Sequence, residues 1–234
     1  MAAGQCGSGL GVPERVRRHL ACRHRARSRG SSGQPLLLLQ DQGRDWRGDR
    51  RAEASAAVVG QLAKLAGARE VGIAGGPEKC AYVRDQLGFD AAIDHRSAGL
   101  AEKLAVPCPS GIDVYFENVG GPIWQAVLPL LNRFAWVPLC GLIAHYNGAT
   151  GAEQNLLPAT MLAVLRRSRL LRGYINTEFV DEHYDSFLRE IGPRVRSGDI
   201  LYREDIVDGL ENAPEAFIGM LSGRNFGKAL VRLS

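Results

Sequence analysis

The sequence lacks an apolar run long enough to cross a membrane. A membrane-spanning helix needs about 20 consecutive apolar residues, and the longest run near the start, Leu36 to Leu39, is far shorter. No cysteine belongs to a C-x-x-C pair or has a histidine at ligand spacing. We therefore expect no membrane partner, no metal site and no disulfide framework, but reduced thiols in a cytoplasmic protein. The cysteines are Cys6, Cys22, Cys80, Cys108 and Cys140.

Lysine is missing from residues 1–52, which contain eleven arginines and four acidic residues and so carry a charge of +7. The whole chain carries +4, so the remaining residues sum to −3. The basic character therefore belongs to the first segment alone. No aromatic residues are interleaved with these arginines and no nucleic-acid-binding motif stands beside them, so we expect no specific nucleic-acid partner.

Residues 1–52 also lack any helical or strand-like hydrophobic period. Three interpretations of this segment are open. It could be a transit peptide, rich in arginine and serine. It could be a disordered basic arm. It could also be foreign sequence, from a wrongly assigned start or a shifted reading frame. We favour the third, because arginine without lysine fits out-of-frame reading of GC-rich DNA.

From residue 53 onward, helical and strand-like patterns alternate, which predicts an α/β fold with a doubly wound parallel sheet. The expected domains are residues 53–198 and a β-α-β tail, residues 199–234, that packs elsewhere. Helices are predicted at residues 54–67, 77–87, 100–105, 123–131, 158–166, 184–197 and 213–221, and strands at residues 70–74, 91–94, 112–117, 135–139, 170–175, 202–207 and 229–233.

Ligands of such sheets bind beyond the carboxyl ends of the strands. Gly75 and Gly76 end one predicted strand, where an NAD-specific site would place a carboxylate. Lys79 follows one helical turn later, and its ammonium suits a 2′-phosphate, which indicates NADP. The alternative is that Lys79 is an ordinary solvated lysine of a first helical turn.

Three further turns follow predicted strands or precede them. Asn118 and Gly120 either approach a cofactor closely or form an ordinary turn. Residues 140–147 end with Tyr146, which could donate a hydrogen bond to a developing enolate oxygen or could be a surface loop residue. Residues 223–228 form a polar turn that could simply join a helix to a strand.

Together these segments resemble one family, the zinc-independent medium-chain dehydrogenases/reductases of the prostaglandin, alkenal and curcumin reductase type. The resemblance covers residues 53–234 and rests on six motifs in the same order. They are IAGGPEKCAY (73–82), LGFDAAID (87–94), GIDVYFENVGG (111–121), CGLIAHYN (140–147), YREDIVDGLENAPEAFIG (202–219) and GRNFGK (223–228).

The resemblance implies that NADPH delivers hydride to the β-carbon of an α,β-unsaturated ketone or aldehyde, with no metal or catalytic base. By this analogy Lys79 binds the 2′-phosphate and Tyr146, as the catalytic residue, bonds to the nicotinamide ribose or the substrate oxygen. Asn118 would lie near the cofactor, and Asn225 would hold its nicotinamide end. The other implied cofactor-binding residues are Gly60, Gly75, Gly76, His95, Gly120, Cys140 and Tyr174.

The chain also departs from the family pattern. Glu53 and Ala56 replace two glycines of the turn that precedes the first helix, and a carboxylate there would repel a pyrophosphate. Residues 44–51 (RDWRGDRR) cannot form a buried central strand, and the family's barrel-like first domain has no counterpart. We therefore expect a sheet whose first strand is lost or altered, and residues 199–234 as a remnant of the catalytic domain.

The expected function is NADPH-dependent reduction of the carbon–carbon double bond of a small enone. A non-catalytic fragment or weak dinucleotide-binding module is one alternative, and a quinone reductase is another. A homodimer is the expected assembly.

Overall fold

A six-stranded, wholly parallel sheet forms the centre of the molecule in the computed structural model, which describes residues 36–40, 55–146 and 155–233. The strand order is β3-β2-β1-β4-β5-β6, the doubly wound order of dinucleotide-binding folds. The α/β fold predicted from the sequence is thereby confirmed. The strands are β1 Leu36–Gln40, β2 Arg69–Ala74, β3 Ala91–Asp94, β4 Ile112–Phe116, β5 Leu131–Leu139 and β6 Leu170–Gly173.

Strand β1 corrects one expectation. Its residues, Leu36–Gln40, belong to the segment that we placed outside the fold, yet they lie between β2 and β4. Leu37 pairs with Glu70 on one side and with Val114 on the other. A continuous apolar run is typical of a central parallel strand. The first strand is therefore present, supplied by residues that precede residue 53. The predictions for residues 1–35 and 41–54 lie outside the described residues.

Seven helices are described, and their bounds largely match the prediction. The helix predicted to reach residue 131 ends instead at Val127, because Pro129 has no N–H to donate and its ring would clash with the preceding turn. The helix predicted from residue 184 begins at Val180. The helices are α1 Ser55–Leu65, α2 Pro77–Asp85, α3 Leu100–Ala105, α4 Gly121–Val127, α5 Leu157–Arg167, α6 Val180–Ser197 and α7 Ala213–Leu221.

The two faces of the sheet are buried against different helices. Val71 and Ile73 point to the face that α3 and α4 cover, where they pack with Leu104 and its neighbours. Gly72 lies on the other face, beneath α2, and a Cβ there would approach Val83 Cγ1 to 2.6 Å. The absence of a side chain at Gly72 therefore lets α2 pack directly against the backbone of β2.

The tail forms a separate two-stranded parallel sheet, β7 Glu204–Asp208 and β8 Lys228–Arg232, with α7 between its strands. This arrangement is the predicted β-α-β tail, and it lies outside the six-stranded sheet. Over the described part of the chain, the helices are all too short or too polar to span a bilayer.

Candidate functional site

The first group of predicted residues lies at the carboxyl ends of β2 and β3. Asp94, the last residue of β3, fixes its backbone: Oδ1 accepts hydrogen bonds from the N–H groups of Gly76, at 2.8 Å, and Arg96, at 2.9 Å. Burial acts to raise the pKa of Asp94, but these two bonds together with the charges of His95 and Arg96 outweigh it and hold that pKa below its usual value. The N–H of His95 donates to Ala74 O at 3.0 Å. We call Gly75, Gly76, Lys79, His95 and Arg96 the β2–β3 group.

Gly75 is closely approached by the two side chains that follow β3. A Cβ at Gly75 would lie 2.9 Å from His95 Nε2 and 3.0 Å from Arg96 Nε. An aspartate or glutamate at this position would therefore displace His95 or Arg96. Gly76 has a φ of +97°, a conformation that side chains disfavour. The structure thus leaves no room for a carboxylate side chain at residue 75 itself and places the Arg96 guanidinium beside it.

Lys79 lies in the first turn of α2 and is not simply solvated. Its ammonium donates to the backbone carbonyl oxygens of Asn225, at 2.5 Å, and Gly223, at 3.4 Å. Arg96 Nη2 also lies 3.4 Å from the Gly223 carbonyl oxygen. Two cations therefore converge on the turn that precedes β8. This contact brings Asn225 beside Lys79, and its expected contact with the nicotinamide end of the cofactor stays a prediction.

The second group follows β4, β5 and β6, and comprises Asn118, Gly120, Cys140, Tyr146 and Tyr174; we call it the β4–β6 group. Gly120 has a φ of +78°, and a Cβ there would lie 3.0 Å from His145 Nε2. The side-chain Oδ1 of Asn118 is buried and accepts no hydrogen bond from the residues described. A buried oxygen without a donor is a candidate ligand-binding atom.

Tyr146 and Asn118 both lie close to Gly141. The position that a Cβ of Gly141 would take is 3.4 Å from the Tyr146 hydroxyl and 3.3 Å from the Asn118 carbonyl oxygen. The side chain of Tyr146 remains 59% exposed. Tyr146 therefore lies at the end of the sheet with much of its surface open to solvent.

Cys140 and Tyr174 lie side by side at the ends of β5 and β6. Burial, followed by the charge interaction and the hydrogen bond with Cys140, raises the pKa of the Tyr174 phenol. The Tyr174 ring also packs against Phe116 and Phe179, with ring centres 6.4 and 6.3 Å apart. These contacts hold the half-buried Tyr174 ring in place within the β4–β6 group.

Gly60 is the predicted residue that the structure does not bring to either group. It is buried in the middle of α1, whereas a pyrophosphate would lie near the start of that helix. Sequence reasoning missed two residues that the structure brings to these groups, Arg96 and Glu117. Arg96 carries one sequence signal, since it is the first arginine or lysine after a predicted strand.

No cluster of three or more His, Cys, Asp or Glu side chains within residues 36–40, 55–146 and 155–233 is arranged to hold a metal ion. The described residues therefore do not fit a zinc centre.

Comparison with known proteins finds a matching family and several similar proteins. The profile of the family described as "Zinc-binding dehydrogenase" matches residues 56–191. The NADPH-dependent curcumin reductase of Escherichia coli K12 is 48% identical over 179 residues, which are 76% of this chain and 52% of that protein. Prostaglandin reductase 1 of Sus scrofa is 40% identical over 182 residues, 77% of this chain and 54% of that protein. The chain thus spans about half the length of these curated relatives.

Among solved structures, CurA of Vibrio vulnificus in complex with NADPH is 40% identical, with a TM-score of 0.77 over 92% of this chain and 62% of that one. The quinone oxidoreductase of Escherichia coli complexed with NADPH is 19% identical, with a TM-score of 0.66 over 91% of this chain. The second similarity concerns the fold alone.

Proposed function

This chain belongs to the zinc-binding dehydrogenase family, and we propose that it binds NADPH and acts in the reduction of carbon–carbon double bonds of α,β-unsaturated ketones and aldehydes. The observation that carries the proposal is the convergence of Lys79 and Arg96 beside a glycine at the end of β2. Relatives that are 40% identical or more and are named as NADPH-dependent curcumin reductase and prostaglandin reductase support the same cofactor and reaction class.

The β2–β3 group fits the adenosine end of NADPH. The ammonium of Lys79 and the guanidinium of Arg96 provide the positive charge that a 2′-phosphate requires, and a guanidinium can bind it through two parallel hydrogen bonds. Gly75 has no side chain, so residue 75 itself places no carboxylate beside that phosphate. This charge pattern favours NADPH over NADH, because NADH has a hydroxyl in place of the phosphate.

The β4–β6 group fits the other end of the cofactor and the substrate. When bound, NADPH supplies the hydride for the reduction. The hydroxyl of Tyr146 is placed to donate a hydrogen bond to the substrate carbonyl oxygen, where negative charge develops. Asn118 Oδ1, which is buried without a donor from the described residues, can accept a hydrogen bond from the bound ligand. The described residues supply no zinc ligand set.

A nucleotide titration of the purified chain tests the proposal. Quenching of protein fluorescence and the emission of bound NADPH would be followed, with NADH as the comparison. We expect NADPH to bind at least about tenfold more tightly than NADH, the discrimination that one charge-assisted contact can give. In Lys79→Ala this discrimination falls, whereas in Lys64→Ala it is unchanged, because Lys64 lies at the far end of α1 and bonds to Gly88 O. Equal affinity of the wild-type chain for the two nucleotides would contradict the proposal.

Turnover of a small enone, measured as NADPH consumption, tests the catalytic part of the proposal. Tyr146→Phe removes the hydrogen bond to the substrate oxygen and is expected to lower kcat about tenfold or more while NADPH still binds. The sequence also favours a second candidate, a dinucleotide-binding module without catalysis, because Glu53 stands where the family has glycine. That candidate predicts NADPH binding with no turnover.

Homodimer formation and a cytoplasmic location stay predictions. The exposed apolar side chains of Leu157, Met161 and Leu165 on α5 support self-association of the chain. Sedimentation of the purified chain over a concentration series measures it, and a single monomeric species at all concentrations would contradict it.

A further inference from the structure

Glu117 directly follows β4 and is buried, with 2% of its surface exposed. We infer that Glu117 is the positioning residue of the β4–β6 group, an inference that rests on the proposed function. Its carboxylate Oε1 accepts hydrogen bonds from the backbone N–H groups of Val119, at 2.7 Å, and Gly120, at 2.9 Å. These bonds fold the chain back on itself and hold the turn that presents the amide of Asn118.

The backbone of Glu117 also fixes the end of the neighbouring strand. Its carbonyl oxygen accepts from the N–H groups of Cys140, at 2.7 Å, and Gly141, at 3.3 Å, and its own N–H donates to Pro138 O at 2.9 Å. Gly141 is the residue that the Tyr146 hydroxyl closely approaches. One residue therefore connects the turn after β4, the end of β5 and, through Gly141, the predicted catalytic tyrosine.

Tyr115 supports the carboxylate from within the sheet. This tyrosine is fully buried and stacks on Trp124 with ring centres 6.0 Å apart. Burial raises the pKa of the Tyr115 phenol well above its usual value, and the charge of Glu117 and the hydrogen bond to it raise it further. Burial also raises the pKa of the Glu117 carboxyl group, although the N–H groups of Val119 and Gly120 and the Tyr115 hydroxyl act in the opposite direction. Hydrogen bonds in such a buried place are stronger than in water, because the local dielectric is low.

The consequence is a site whose nicotinamide end is ordered before any ligand binds. A turn that must order itself on binding would reduce affinity, because the conformational entropy is then lost in the binding step. Loss of Glu117 Oε1 leaves the N–H groups of Val119 and Gly120 without an acceptor in a buried place. The turn and Asn118 are then expected to move, whereas the β2–β3 group, which makes none of these bonds, is not.

Two ligands allow the two ends of the site to be tested separately. NADPH contacts both groups, whereas adenosine 2′,5′-bisphosphate can contact the β2–β3 group alone. In Glu117→Ala we expect the Kd of NADPH to rise about tenfold, because two buried backbone N–H groups of the turn lose their acceptor. The Kd of the bisphosphate is expected to stay within about twofold of wild type. Calorimetry measures both values.

Glu117→Gln is the conservative control. Glutamine keeps an Oε1 acceptor for both backbone N–H groups, so we expect most of the NADPH affinity to return. Equal weakening of both ligands in Glu117→Ala would mean a general loss of folded protein and would overturn the inference, as would unchanged NADPH binding. Failure of the wild-type chain to bind either ligand would instead contradict the proposed function itself.

Discussion

The side chain of Gln61 forms a reciprocal pair of hydrogen bonds with the backbone of Leu201. Its Oε1 accepts from the Leu201 N–H at 2.7 Å, and its Nε2 donates to the Leu201 carbonyl oxygen at 2.8 Å. Gln61 lies in α1 and is 5% exposed, whereas Leu201 begins the segment that leads to β7. The amide thus satisfies both backbone groups of Leu201 and joins the C-terminal tail to α1.

Replacement of Gln61 by alanine is expected to destabilise the protein. The change leaves the N–H and carbonyl groups of Leu201 without partners, at a cost of about 2 kcal/mol in the free energy of unfolding. Urea denaturation followed by circular dichroism measures this change. Gln125→Ala, at an exposed position of α4, is the matched control and should have little effect. Identical urea midpoints for the two variants would refute the structural role of Gln61.

Arg96 is expected to select for the 2′-phosphate of NADPH together with Lys79. In Arg96→Ala we expect the Kd of NADPH to rise about tenfold, because a charge-assisted contact is lost, with no change for NADH. Arg84→Ala is the control, since Arg84 pairs with Asp85 at the opposite end of α2. If both nucleotides weakened equally in Arg96→Ala, the guanidinium would serve the fold and not the choice of cofactor.

Glu70 is a buried carboxyl group away from both candidate groups. It is fully buried in β2, and neither of its side-chain oxygens has a hydrogen-bond partner among the described residues. Burial, followed by the charge of Asp90, raises the pKa of Glu70 to about 8, although Lys64 acts in the opposite direction. Near neutral pH the carboxyl group is therefore protonated in the folded chain and ionised in the unfolded chain.

This difference predicts that stability falls as the pH rises. The stabilising contribution of the protonated group is fully present below the unfolded pKa of 4.5 and is lost progressively up to a pH of about 8. In Glu70→Leu this contribution to the pH dependence is absent. The variant should therefore gain stability relative to wild type by up to about 1.4 kcal/mol for each pH unit between those limits. Urea denaturation across this range measures the difference.

Glu102→Gln is the control for the pH series, because Glu102 is exposed on α3. Its stability relative to wild type should be nearly independent of pH. A constant difference between Glu70→Leu and wild type at all pH values would mean that Glu70 ionises normally in the folded chain.

Local sequence patterns predicted most of the elements. The helix at residues 100–105 and the strand at residues 91–94 have the bounds expected from hydrophobic period and turn residues. Those signals are local, because a few neighbouring residues decide whether a segment has an apolar face. Strand β1 was not predicted from the sequence, because it lies among residues with no family motif and because residues 41–54 separate it from α1. Only its pairing with β2 and β4 identifies it as the central strand.

The sequence by itself determined the α/β class, the order of the elements from α1 onward, and the residues at the strand ends, including Gly75 and Lys79. Tertiary structure decided which of those ends meet. Lys79 and Asn225 are 146 positions apart, yet a hydrogen bond joins them, and Arg96 converges on the same turn. Such contacts depend on how distant segments pack against one another, and no local hydrophobic period or turn signal carries that information.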